Sequence, residues 1–139
     1  MNAPNFELFD LKSHQEVKLT DFRGLPVMIT FWVSWCPDCQ RDLPLKTQFY
    51  QSLDKSELGF LTINVTGREH AEKDGPRFAE EHDLPFPILI DNGTEVYDAY
   101  ECSGVPTTII MDKDHRITHQ FGDKASFYDV LEALSHVTK

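Results

Sequence analysis

The sequence predicts an α/β fold: one domain over residues 1–139, with a mixed central β-sheet and helices on both of its faces. Three observations carry this. Apolar runs of strand length alternate with stretches of helical character, the pattern that builds a sheet covered by helices. The last two strand-like runs are separated only by a polar turn, so they pair as a hairpin and add antiparallel strands to the sheet. And 139 residues make one domain by length, enough to bury a core without disulfide staples.

Each element follows from its residues. Phe6-Glu7-Leu8-Phe9 and Val17-Lys18-Leu19 read as short edge strands around a polar turn at 12–15. After the turn Gly24-Leu25-Pro26, residues 27–32 are apolar except for Thr30, which predicts a buried central strand. A polar, helix-forming stretch then runs to about Ser52, with Leu43, Leu45, Phe49 and Leu53 as its expected inner face and Pro44 as an expected kink. Residues 60–65 form the next strand. Asp74-Gly75-Pro76 opens a helix to about His82, with Asp74 as its cap and an early proline. Residues 86–90 are a short strand ended by Asp91-Asn92-Gly93, and 94–100 a short helix. Residues 107–111 and 117–121 are the hairpin. Phe127, Val130, Leu131 and Leu134 recur at helical spacing and make an amphipathic C-terminal helix.

Composition narrows the function classes. The 13 Lys and Arg against 23 Asp and Glu give a formal charge of −10, which repels phosphate backbones and argues against a nucleic-acid partner. No apolar run approaches the roughly 18 to 20 residues that span a bilayer. The first ten residues hold no basic cluster followed by an apolar run, so the chain reads either as cytoplasmic or as a domain whose leader or anchor has been removed. Its three cysteines, Cys36, Cys39 and Cys102, are too few and odd in number for a disulfide framework.

Cys36-Pro37-Asp38-Cys39 sits where a buried strand gives way to a helix. A helix N-terminus carries partial positive charge and free backbone donors, so a thiolate is stabilised there. Pro37 suits the first turn, where no donor is needed. Cys36 would be the exposed nucleophile at the helix mouth and Cys39 the buried resolving thiol, which displaces the mixed disulfide formed on Cys36. A zinc site would need further ligands at suitable spacing; only Cys102 remains, and the six histidines form no convincing pair. Two merely structural cysteines fit this junction poorly.

Residues 31–39 (Phe-Trp-Val-Ser-Trp-Cys-Pro-Asp-Cys), Pro44 five residues after the second cysteine, and Gly104-Val105-Pro106-Thr107-Thr108 resemble the active-site strand, kinked helix and cis-proline loop of the thioredoxin superfamily. Leu19-Thr20-Asp21-Phe22-Arg23-Gly24, Asp42-x-Pro44, Tyr100-x-Cys102-x-Gly104 and the extra segment 66–84 resemble its TlpA/ResA-like thiol-disulfide oxidoreductases. The resemblance spans nearly the whole chain. It implies a thioredoxin fold with an N-terminal strand extension and an inserted helix. It implies a cis Val105–Pro106 bond facing the cysteine pair, with the Val105 backbone open to strand-like pairing with substrate. Trp35 and Pro37 join Val105 and Pro106 as expected substrate contacts. The implied activity is disulfide exchange with protein substrates by a monomer, as a reductant, with no cofactor beyond the two sulfurs. The implied setting is extracytoplasmic, as in cytochrome c maturation or sporulation, with electrons from a membrane thiol carrier or a thioredoxin-type donor.

The departures matter as much. Thioredoxin proper carries a buried aspartate where Thr30 stands, so another group must take the proton from Cys39. Glu69 falls near where relatives place an acidic residue, and a solvated surface glutamate is the competing reading. Asp38 opposes ionisation beside it by like-charge repulsion, which places the potential nearer thioredoxin, about −270 mV, than the strong oxidants near −120 mV. Cys102 reads as a small core hydrophobe rather than a third redox thiol. A peroxiredoxin-like peroxidase is the alternative enzyme, although Val33 stands where that family needs a threonine; a non-catalytic thioredoxin-fold binding module is the alternative outside enzymes.

Overall fold

The structure, a computed structural model, describes residues 2–138. The elements are β1 (Glu7–Asp10), β2 (Glu16–Lys18), β3 (Val27–Trp32), α1 (Pro37–Ser52), β4 (Gly59–Asn64), α2 (Asp74–Glu81), β5 (Ile88–Ile90), α3 (Glu95–Ala99), β6 (Thr107–Met111), β7 (Ile117–Phe121) and α4 (Phe127–Val137), with short 3-10 turns at Leu19–Phe22 and Thr66–Arg68. The strands form one seven-stranded sheet in the order β2-β1-β5-β4-β3-β6-β7. The apolar run of β3 takes the centre, parallel to β4 and antiparallel to β6, with every residue buried. The parallel pairs β3–β4 and β4–β5 are joined through helices, and β6–β7 is the expected hairpin. The strand extension β1–β2 joins the sheet antiparallel to β5. Short strands at the edge leave little unpaired backbone on which another chain could add.

Side-chain alternation along β3 divides the two faces. Thr30 and Trp32 point to the side covered by α1, α2 and α4: Lys46 of α1 bonds Thr30, Trp32 meets Phe78 of α2 at 5.7 Å between centroids, and Phe49 meets Phe127 of α4 at 6.1 Å. Phe31 points to the other side, against Tyr97 and Tyr100 at 6.2 and 5.7 Å. Those two tyrosines come from α3 and its C-cap, and the Tyr100 hydroxyl ties the N-terminal segment down by donating to the Pro4 carbonyl at 2.6 Å. This is the mixed sheet with helices on both faces that the sequence predicts.

Three local readings need correction. Leu45 does not face the core; it is 43% exposed. Leu43 and Leu45 are two residues apart, about 200° around a helix, and cannot share a face. The inward stripe of α1 is Cys39, Leu43 and, unexpectedly, Lys46. Asp74 is the first residue of α2 rather than its cap; the N-cap is Lys73, without a side-chain cap bond, and the Asp74 carboxylate accepts from the Ala71 N–H instead. The strand read at 86–90 begins at Ile88, because Pro87 has no N–H for the ladder; its carbonyl accepts from the backbone and hydroxyl of Thr62.

Candidate active site

The C-terminal end of β3 leads through Val33, Ser34 and Trp35 to the cap of α1. Cys36 is the N-cap of that helix and Pro37 its first residue. The Cys36 sulfur accepts from the Cys39 N–H at 3.4 Å, so it sits on the free donors of the first turn. Its thiol donates to the Val105 carbonyl at 3.6 Å. The Val105–Pro106 bond is cis, as the resemblance implied, and the loop carrying it lies over the cysteine pair. That cover has a consequence for access: Cys36 is the more open of the two thiols, yet only 7% exposed, rather than standing free at the helix mouth.

Cys39 lies one turn in and is fully buried. Burial drives its thiol far above the ordinary range; a hydrogen bond with the Val33 backbone works the other way, and contact with Cys36 and the charges of Cys36 and Asp42 add to the rise. Cys39 is therefore protonated at rest and must lose that proton before it can attack.

The loop ahead of Cys36 is held from the β4 side. The Glu69 carboxylate accepts from the Ser34 N–H at 2.8 Å, the Ser34 hydroxyl at 2.6 Å and the Asn64 side-chain amide at 2.8 Å. Both oxygens are thus engaged. Sequence reasoning placed an acid near the pair at Glu69; the carboxylate whose charge reaches the buried sulfur is that of Asp42. Trp35 donates its indole N–H to the Arg68 carbonyl at 2.9 Å and stands 42% exposed, with His70 5.5 Å away. Asp38 is ion-paired with Arg41.

Asp42 and Lys46 are the functional candidates that sequence reasoning missed. The Lys46 ammonium, with no solvent exposure, donates to Asp42 Oδ2 at 2.7 Å, Thr30 Oγ1 at 2.9 Å and Thr108 Oγ1 at 3.1 Å. Burial holds its pKa below the ordinary lysine value, against the charge and hydrogen bond of Asp42 and the charge of Cys39, which pull it up. Thr30 and Thr108 are directly paired across β3 and β6. Two hydroxyls opposed in a buried sheet, beneath a lysine seven residues after a buried cysteine, are the signal that could have found the site. Asp42 opens onto a groove lined by Asp38, Leu45, Pro106 and Phe121. Cys102 is half-buried against the core, with burial pushing its thiol up to about 12.

A helix-capping thiol in contact with a buried partner and facing a cis-proline loop defines the class: a thioredoxin-superfamily protein with the dithiol pair of the TlpA/ResA-like thiol-disulfide oxidoreductases. Residues 1–120 match the AhpC/TSA family, and the chain belongs to it. The thiol-disulfide oxidoreductase ResA of Geobacillus thermodenitrificans is 36% identical over 136 residues, covering 97% of this chain and 75% of that protein. ResA of Geobacillus kaustophilus is 37% identical over 115 residues, covering 83% of this chain but 64% of that protein, so this chain spans less than two thirds of that relative's length. Among solved structures, the pneumococcal exposed lipoprotein thioredoxin Etrx1 of Streptococcus pneumoniae superposes with a TM-score of 0.85 at 24% identity, covering 96% of this chain and 99% of that one; it shares the fold.

Proposed function

We propose that this chain reduces disulfides in protein substrates on the extracytoplasmic side of a bacterial membrane, with the disulfide form of the apocytochrome c cysteines as one substrate class. Its electrons come from a membrane thiol carrier or a thioredoxin-type donor. The observation that carries the reading is the position of the Cys36 sulfur, between the first turn of α1 and the Val105 carbonyl, with Cys39 behind it. The Cys36 thiolate attacks one sulfur of the substrate disulfide and releases the other as a thiol. Cys39 then gives up its proton, attacks Cys36 and releases the second substrate thiol, leaving a Cys36–Cys39 disulfide. Two electrons pass from the protein pair to the substrate. The reducing direction is supported by the burial of Cys39: a pair whose resolving thiolate is not stabilised gains little from being reduced, and so gives its electrons away readily.

In this reading the exposed Trp35 ring and Pro37 flank the incoming disulfide, while Val105 and Pro106 receive its backbone. Asp42 accepts the Cys39 proton, and Glu69 positions the Ser34 loop, a role supported by its three accepted hydrogen bonds. Reduction of insulin disulfides with dithiothreitol as electron source tests the proposal. Turnover is expected to vanish in Cys36→Ala, and Cys39→Ser should accumulate mixed disulfides that a reductant releases. Undiminished turnover in Cys36→Ala would overturn it.

A further inference from the structure

Lys46 is a fully buried lysine whose three N–H donors are all used, on Asp42, Thr30 and Thr108. Burying an ammonium is costly, and replacing a buried ion pair by apolar side chains is often neutral or stabilising. Stability alone therefore gives this arrangement little reason to exist. Its place does: the pair lies on α1 directly below the resolving cysteine, and the Lys46 and Cys39 charges act on one another. The charged and titratable groups that face Lys46 are Asp42 and Cys39 of its own helix, with Cys36 beyond Cys39; β3 and β6 present threonine hydroxyls.

Building on the exchange mechanism above, we infer that Lys46 is a positioning residue for the second half of the reaction, fixing the Asp42 carboxylate and holding one positive charge beneath Cys39 while its proton leaves. With the Asp42 carboxylate at 2.7 Å holding Lys46 as the ammonium against the pull of burial, the cluster before transfer is Cys39 thiol, Asp42 carboxylate and Lys46 ammonium. After transfer it is Cys39 thiolate, protonated Asp42 and Lys46 ammonium. Both sums are zero, so the proton moves without creating net charge beside the buried Cys39 sulfur and Lys46 ammonium, where net charge is penalised. The thiolate then forms the bond to Cys36 and expels the substrate sulfur, which takes up the proton. Without the ammonium both states carry a net negative charge, and the thiolate loses the cation that offsets it.

The experiment is stopped-flow reaction of the reduced full chain with 5,5′-dithiobis(2-nitrobenzoate) across a pH series. One thionitrobenzoate leaves when Cys36 attacks, and a second when Cys39 resolves the mixed disulfide. In Lys46→Met the first release is expected to stay within about twofold, while the second slows at least tenfold near pH 7 and its pH midpoint moves up by about one unit or more, a tenfold loss per unit below the midpoint. A second-release profile that superposes on the parent's, or an equal slowing of both phases, overturns the inference. Should Lys46→Met fail to fold, Lys46→Gln, which can still hydrogen-bond Thr30 and Thr108 but carries no charge, takes its place. It too is expected to slow the second release and raise its midpoint, and a profile that superposes on the parent's overturns the inference. A parent protein that releases only one thionitrobenzoate would instead refute the redox-pair reading itself.

Discussion

Replacing Gly75 by alanine should destabilise the protein, against the general rule for glycines in helices. Within a helix, Gly→Ala ordinarily gains about 0.5 to 1 kcal/mol. At Gly75, in the first turn of α2, the added methyl carbon would overlap Oδ1, Cγ and Nδ2 of Asn64, the last at 2.6 Å. Asn64 is fully buried and cannot swing aside freely, because its amide donates to the Glu69 carboxylate at 2.8 Å and to the Trp32 carbonyl at 3.3 Å. Displacing it breaks a hydrogen bond to a charged acceptor, about 1.5 to 3 kcal/mol, and overpacks a filled site, about 1 to 3 kcal/mol. Less the helix gain, the expected net loss is about 1.5 to 5.5 kcal/mol. Urea unfolding of the reduced protein measures it. In an Asn64→Ala background the same Gly75→Ala change should cost little, since the methyl group then has room. Gly75→Ala at or above the parent's stability, or an undiminished loss in the Asn64→Ala background, refutes the reasoning.

Asp91 is buried, and its carboxylate accepts from the Val96 and Tyr97 N–H groups at 2.9 and 3.1 Å, doing for α3 what its N-cap Thr94 does not. Asp91→Ala should cost about 2 to 4 kcal/mol in denaturant unfolding, and a loss below about 0.5 kcal/mol would show that the bonds contribute nothing. Cys102 should shape alkaline stability. Its thiol keeps its proton in the folded state and loses it in the unfolded state between pH 9.0 and about 12, so stability falls as pH rises through that window. Between about pH 9.5 and 10.5, Cys102→Ala should lose about 1.4 kcal/mol less than the parent, and parallel losses would contradict the assignment.

What could be read from the sequence was whatever period and composition express locally. The all-apolar run of β3, the closing hairpin at Thr107–Met111 and Ile117–Phe121, and the cysteine pair at a strand-to-helix junction announce themselves in consecutive residues. The floor of the site does not. Lys46 reads as a solvated helix residue until Thr30 and Thr108 are known to be paired beneath it, and that pairing joins strands far apart in the chain. Glu69 could be placed near the pair only through the resemblance to relatives that carry an acid there, and which of its oxygens are occupied depends on Ser34 and Asn64, whose directions no local pattern specifies. Leu45 went astray through a spacing that no helix face permits.

The parallel and antiparallel partners of β3 also set an order on the maturation of the protein. The strand that leads to Cys36 pairs with Val27↔Gly59 on one side and Val27↔Met111 on the other. During synthesis, therefore, both sulfurs leave the ribosome long before the residues that roof and floor them. Until β6 docks, Thr108 is not there to hold Lys46, nor Val105 to cover Cys36.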